Sequence, residues 1–325
     1  MTCIEGLPEA LAFRDGRLRR IGVELEFGNL TVGEAAAIVQ RQFGGQVAVT
    51  SPHLAWVTGA EAGDFDIRLD SRLAHAEAAT GDDLLDLLQR EAAEVAGDVL
   101  QVWTPCEISA PPMPLSALPM LDRLADALRA AGAHGSGARP HYAYALQLNV
   151  EVRSLEAAAV LRLLQAFLLM EDWLRRQCLR DLSRQLTLFV RPFPEAYRRQ
   201  VLDPGYAPDW QQLIRDHLAA NPTRNRDLDL LPLFAHVRPD LVDALVDDMK
   251  VSARPAWHYR LPDCRLDEPG WSIATEWRRW VAVERLAADD RRFARVRRAF
   301  LDWGGRVDPV EWQSWLAAQR SLEES

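Results

Sequence analysis

Glu24 and Glu26 stand two residues apart in the stretch Arg19-Arg20-Ile21-Gly22-Val23-Glu24-Leu25-Glu26-Phe27. Apolar and charged residues alternate there, the period of a β-strand. Both carboxylates then share one face, roughly 6.5 Å apart along the strand, while Ile21, Val23, Leu25 and Phe27 take the other. Carboxylates so spaced can each hold one of two neighbouring metal ions. The plainer alternative is a sheet with one wet face and two solvated glutamates. Further polar residues fall on or beside other alternating stretches: Asp70, Glu107, the pair Gln147 and Asn149, and the pair His258 and Arg260. Carboxylate and amide oxygens suit hard cations, and arginines suit phosphate or carboxylate. Asp70 also fits an ordinary turn, Glu107 a solvated strand end, His258 a hydrogen-bonded structural histidine, and Arg260 a plain ion pair.

The elements that would carry these residues follow from periodicity and punctuation. Thr31 is placed to cap a helix running to about Phe43. Strands are expected at 46–50, 54–58 and 64–69, the last setting Asp66, Arg68 and Asp70 on one face. A helix follows at 82–96, then extended chain at 99–103 and 107–109, which the prolines at 111, 112 and 114 are expected to end. A helix over 118–131 closes at Gly132. The run 142–152 reads as a strand, with Ala145, Gln147, Asn149 and Glu151 on one face. Ser154 is read as the cap of a long leucine-rich helix to about Cys178. Residues 180–250 read as short helices broken by prolines, and 257–261 as a last strand. Three helices, 272–288, 291–302 and 309–319, end the chain. Trp277 and Trp280, like Trp312 and Trp315, recur at helical spacing and are expected to seal these helices onto the rest.

This order is not a regular βαβ alternation, so the expected class is α+β, an antiparallel or mixed sheet lining a cleft with helices packed on it. Three parts are expected: an N-terminal arm (1–17), a catalytic domain (18–262) and a helical C-terminal extension (263–325). A net charge of −9 argues against a nucleic-acid partner. Four cysteines without CxxC spacing fit a reduced cytoplasm. No basic, apolar leader opens the sequence, and no apolar run is long enough for a membrane helix. Lys250 is the sole lysine and is followed by Val251, which excludes the GxxxxGK[ST] phosphate loop. Any phosphate handled here must be met by arginines and metal ions.

Taken in order, Gly22-Val-Glu-Leu-Glu-Phe27, Asp70, Glu107-Ile-Ser-Ala-Pro, Gln147-Leu-Asn149 and His258-Tyr-Arg260 resemble the motifs of the carboxylate–amine ligases. That superfamily contains glutamine synthetase and glutamate–cysteine ligase, and the nearest branch is the amidoligase family. The block Asn221–Phe234 is also similar to that branch, and the resemblance spans roughly residues 18–262. It implies a glutamine-synthetase-like fold and a cytoplasmic ligase. ATP would phosphorylate a carboxylate, and an amine would attack the acyl phosphate to give an amide. Both substrates would be small molecules or peptides, with Mg²⁺, or Mn²⁺, as metal cofactor. By position, Glu26, Asp70 and Glu107 would hold one ion, and Glu24, Gln147 and His258 the other. Arg260 would contact phosphate with Arg224 or Arg226 as helpers, and Asn149 would join Arg260 at the nucleotide. Relatives commonly carry His where this chain has Gln147, and Glu where it has His258, so the second ion would have one carboxylate instead of two. Two other readings use the same residues: a metal-dependent hydrolase or phosphotransferase, and a degenerate non-catalytic nucleotide- or metal-binding module.

Overall fold

The computed structural model describes residues 13, 16–69, 105–137, 144–179, 191–245 and 251–302. Its centre is an eight-stranded antiparallel sheet. In chain order the strands are β1 (Arg20–Phe27), β2 (Gln46–Ser51), β3 (Leu54–Thr58), β4 (Phe65–Leu69), β5 (Cys106–Pro114), β6 (Leu146–Glu151), β7 (Leu228–Asp229) and β8 (Ala256–Tyr259). They lie side by side as β2-β3-β4-β5-β1-β6-β8-β7, which puts the Glu24–Glu26 strand between β5 and β6. Nine α-helices are found among the described residues: α1 (Val32–Phe43), α2 (Leu118–Ala130), α3 (Ala157–Cys178), α4 (Glu195–Leu202), α5 (Trp210–Ala220), α6 (Leu231–Val237), α7 (Pro239–Leu245), α8 (Ile273–Ala288) and α9 (Asp290–Asp302).

Alternation decides which face is dry. Ile21, Val23, Leu25 and Phe27 are fully buried, and so are Phe65, Ile67, Ile108, Leu148 and Val150 on the neighbouring strands. Helices cover this apolar face. Phe43 of α1 meets Phe65 at 4.7 Å between ring centroids. Tyr259 of β8 meets Phe167 of α3 and Trp280 of α8. Trp277 and Trp280 are buried as their spacing predicts, and one continuous core runs from Ile21 to Phe300. The opposite face carries the polar residues.

Local chemistry explains most boundaries. Thr31 Oγ1 accepts from the Glu34 N–H and the Glu34 carboxylate accepts from the Thr31 N–H, a complete capping box at the start of α1. Gly28 closes β1 where a Cβ would lie 2.4 Å from the Tyr144 hydroxyl, so no larger residue fits.

Three expectations are corrected. The prolines do not end β5, which continues to Pro114. Pro111 and Pro112 fall between the pairs Val23↔Ala110 and Ile21↔Met113, where the ladder to β1 shifts register and asks for no N–H; β4 has already ended its pairing at Ser109. Ser154 does not cap the long helix: its hydroxyl accepts from the Glu156 N–H, an isolated turn, and α3 begins at Ala157 without a side-chain cap. Prolines in 191–245 start helices more than they break them. Pro194 precedes α4, Pro232 lies in the first turn of α6 and Pro239 opens α7. The helices expected at 82–96 and 309–319, and the strand at 99–103, lie outside the described residues.

Candidate active site on the polar face of the sheet

Antiparallel register lines up residues directly across strands, and directly opposed residues share a face. One row runs Trp56, Asp66, Ser109, Glu24, Gln147 across β3, β4, β5, β1 and β6. A second runs Arg68, Glu107, Glu26 across β4, β5 and β1. A third runs Gly22, Asn149, His258, Asp229 across β1, β6, β8 and β7. The sequence-derived residues Glu24, Glu26, Glu107, Gln147, Asn149 and His258 therefore lie on one face. Arg260 follows His258 by two positions beyond β8. Asp70 lies outside the described residues, so its place relative to Glu26 and Glu107 is not part of the described geometry. Among the described residues, no group of three or more His, Cys, Asp or Glu side chains is arranged to hold a metal ion.

The acidic half of the face is centred on β5 and β1. Glu26 and Glu107 are opposed, and like charges so placed repel unless a cation lies between or beside them. The Glu26 carboxylate accepts from the Ala145 N–H at 2.8 Å, and Glu107 accepts from the Ser109 hydroxyl at 2.8 Å. Arg68, next in that row, is ion-paired with Asp66. A cleft of about 610 Å³ opens over this region, lined among others by Glu24, Trp56, Asp66, Glu107, Ser109, Asn149 and Arg254.

A chain of hydrogen bonds leads from the cleft into the buried half. Asn149 Nδ2 donates to Glu24 Oε1 at 2.7 Å. Gln147 Nε2 donates to Asn149 Oδ1 at 2.7 Å and lies 3.2 Å from His258 Nδ1. Burial holds the His258 imidazole neutral, pushing its pKa down to about 3, and the nearby Arg260, Arg224 and Arg254 act the same way against Asp229. Its other nitrogen, Nε2, is buried without a hydrogen-bond partner among the described residues, as is Arg260 Nε.

Arginines gather at the far end. Arg260 Nη2 donates to Asp229 Oδ2 at 3.0 Å and Arg224 Nε to the same oxygen at 3.1 Å. Although burial alone would raise the Asp229 pKa, these guanidinium groups hold it below the usual carboxylate range. Asp229 is fixed by β7, a two-residue strand whose apolar partner residue, Leu228, is buried. Arg226 stands apart from this cluster. It donates to Asn221 Oδ1 and to the Pro192 carbonyl, and it helps neutralise Glu171 and Asp227 below. Of the three arginines singled out in the sequence, Arg260 and Arg224 are brought together and Arg226 is not.

Asp66, Asp229 and Arg254 are site residues that sequence reasoning did not select. Alternation put Asp66 on the polar face, but nothing distinguished it from Asp70 as the acid of that strand. Asp229 and Arg254 carry no local signal: their place depends on β7 and β8 pairing.

The family model described as "Putative amidoligase enzyme" matches residues 17–282, which runs from the start of β1 through most of α8. No curated protein and no solved structure matches this chain. With a family match over most of its length, the chain belongs to the amidoligase family.

Proposed function

We propose that this amidoligase-family chain is an ATP-dependent carboxylate–amine ligase of glutamine-synthetase-like fold, working with Mg²⁺ or Mn²⁺ on a small-molecule or peptide carboxylate and amine. The observation that carries this reading is the polarity of one sheet face, with carboxylates on β5 and β1 and guanidinium groups beyond β8. A cation suits Glu26 and Glu107, whose carboxylates stand opposed across one strand pair. Asp70 would complete that set, and Glu24 would serve a second ion. When bound, the metal would neutralise phosphate charge developing during phosphoryl transfer.

The chain's own residues then divide the work. Asn149, fixed to Glu24, presents its amide at the cleft wall and can orient the nucleotide. Arg260 and Arg224, already positioned by Asp229, supply planar donors for phosphate oxygens without reorganising. The half-buried cleft limits water around the acyl phosphate, so that an amine rather than water takes the acyl group.

The test is a screen of carboxylate–amine pairs for ADP release by the purified chain. The ligase reading requires ADP release that depends on both partners. ADP release without added amine would favour the hydrolase reading, and nucleotide binding without turnover would favour a non-catalytic module.

A further inference from the structure

Hydrogen-bond polarity along the polar face fixes which nitrogen of His258 carries the proton. A carboxylate can only accept, so Glu24 Oε1 must accept a hydrogen bond from Asn149 Nδ2. That orientation turns Asn149 Oδ1 toward Gln147, which must answer with its NH₂ group. The second N–H of the same group then faces His258 Nδ1 at 3.2 Å. Nδ1 is therefore the lone-pair nitrogen, and a neutral ring must hold its proton on Nε2. Exchanging O and N of either amide would set oxygen against oxygen, at Asn149 or at Glu24. The relay thus leaves Nε2 as an N–H donor, buried and without a partner among the described residues.

A metal ligand needs a nitrogen lone pair. The only lone pair on this ring is already taken by Gln147, so the geometry does not suit His258 as a ligand. It suits an acceptor with negative charge. Arg260, two residues on, also holds a buried Nε–H without a partner among the described residues. Arg260, Arg224 and Arg254 all raise the positive potential at His258, opposed by Asp229.

Resting on the ligase reading for its site, we propose that His258 is an Nε2–H donor in an oxyanion subsite shared with Arg260, and not a ligand of the second metal. The oxyanion is either a nucleotide phosphoryl group or the substrate carboxylate. At this position the chain binds the anion directly, by N–H donation, and not through a cation.

Two measurements test this on the full chain. First, nitrogen-15 NMR of histidine-labelled protein, with the His258 signals assigned by their loss in His258→Gln, should show a proton on Nε2 and none on Nδ1. A proton on Nδ1 overturns the relay. Second, calorimetry in EDTA with tripolyphosphate and, separately, succinate should show binding of at least one anion. His258→Ala should weaken it at least tenfold, and His258→Gln, whose amide N–H reaches a similar point, should restore it to within about threefold. Tripolyphosphate binding alone assigns the subsite to the nucleotide, and succinate binding alone to the carboxylate substrate. Binding of neither, or binding unaffected by His258→Ala, overturns the subsite. Mn²⁺ affinity, read by electron paramagnetic resonance, should stay within about twofold in His258→Ala; a tenfold loss there, or tighter binding in His258→Glu, would restore the metal-ligand role. If no carboxylate–amine pair releases ADP while both measurements hold, the ligase reading falls and the anion subsite stands.

Discussion

Glu284 and Glu276 on α8, and Glu24, Glu26 and Glu107 on the sheet, are acids of one fold kept in different company. Glu284 takes two hydrogen bonds from the buried Arg19 guanidinium, at 2.9 and 2.7 Å, and a third from the Trp280 indole. Glu276 is met by Arg279 and Arg265 and by the Trp271 indole. In both cases the charge is neutralised by a cation of the chain itself. On the sheet, Glu24 accepts from the Asn149 amide, Glu26 from a backbone N–H and Glu107 from a hydroxyl. Through Arg19, which also donates to the Glu151 carbonyl of β6, Glu284 fastens α8 to the sheet. Glu24 and Glu107 instead line the cleft, where an added cation can use their charge.

The contrast predicts opposite outcomes for the same chemical change. Glu284→Gln leaves Arg19 with an uncompensated buried charge and should cost about 3–5 kcal/mol in a denaturant titration. Glu26→Gln keeps volume and the acceptor for the Ala145 N–H, so stability should change by no more than about 1 kcal/mol. Its ATP turnover should nevertheless disappear. Equal loss of stability in both variants would erase the distinction between the two sets.

A buried histidine extends the comparison to pH. His217, in contact with the Tyr197 hydroxyl at 2.8 Å, has its pKa pushed down to about 3 by burial. The unfolded chain takes up that proton near pH 6.5 while the folded chain does not, so this stability is present above pH 6.5 and is lost as pH falls. The slope is roughly 1.4 kcal/mol per pH unit. Glu171, whose pKa is raised by burial, works in the opposite direction, so the readout is the difference between wild type and His217→Gln. That difference should shrink steadily from pH 6.5 to 5; curves that stay parallel would mean that His217 is not held neutral.

The smallest expected effect is at Gly22. A Cβ there would come within 3.3 Å of Asn149 Cβ and press on the amide that Glu24 orients. Gly22→Ala should lower kcat a few-fold with stability changed by about 1 kcal/mol at most; an unchanged kcat would separate Asn149 from the nucleotide.

Much of this arrangement was legible beforehand because it is local. Alternation assigned faces to β1, β4 and β6, and Thr31 marked the start of α1. What escaped depends on pairing across the chain. Asp229 matters because β7 sets it beside Arg260, and two residues of strand have no readable period. The prolines of β5 looked like a stop, since the bulge that accommodates them is a property of the β1–β5 ladder. His258 was read as a ligand from its place in the family-like motif; which nitrogen bears its proton depends on Gln147, Asn149 and Glu24 from two other strands.

The most direct test of the central claim follows the oxygen of the substrate carboxylate. With an acid identified by ADP release and labelled with oxygen-18 in its carboxylate, an acyl-phosphate ligase must pass one labelled oxygen to inorganic phosphate for each amide formed. We predict labelled phosphate in step with amide and ADP, and none from Glu26→Gln. Unlabelled phosphate accompanying ADP would contradict ligation on this face and assign the same carboxylates to hydrolysis by water.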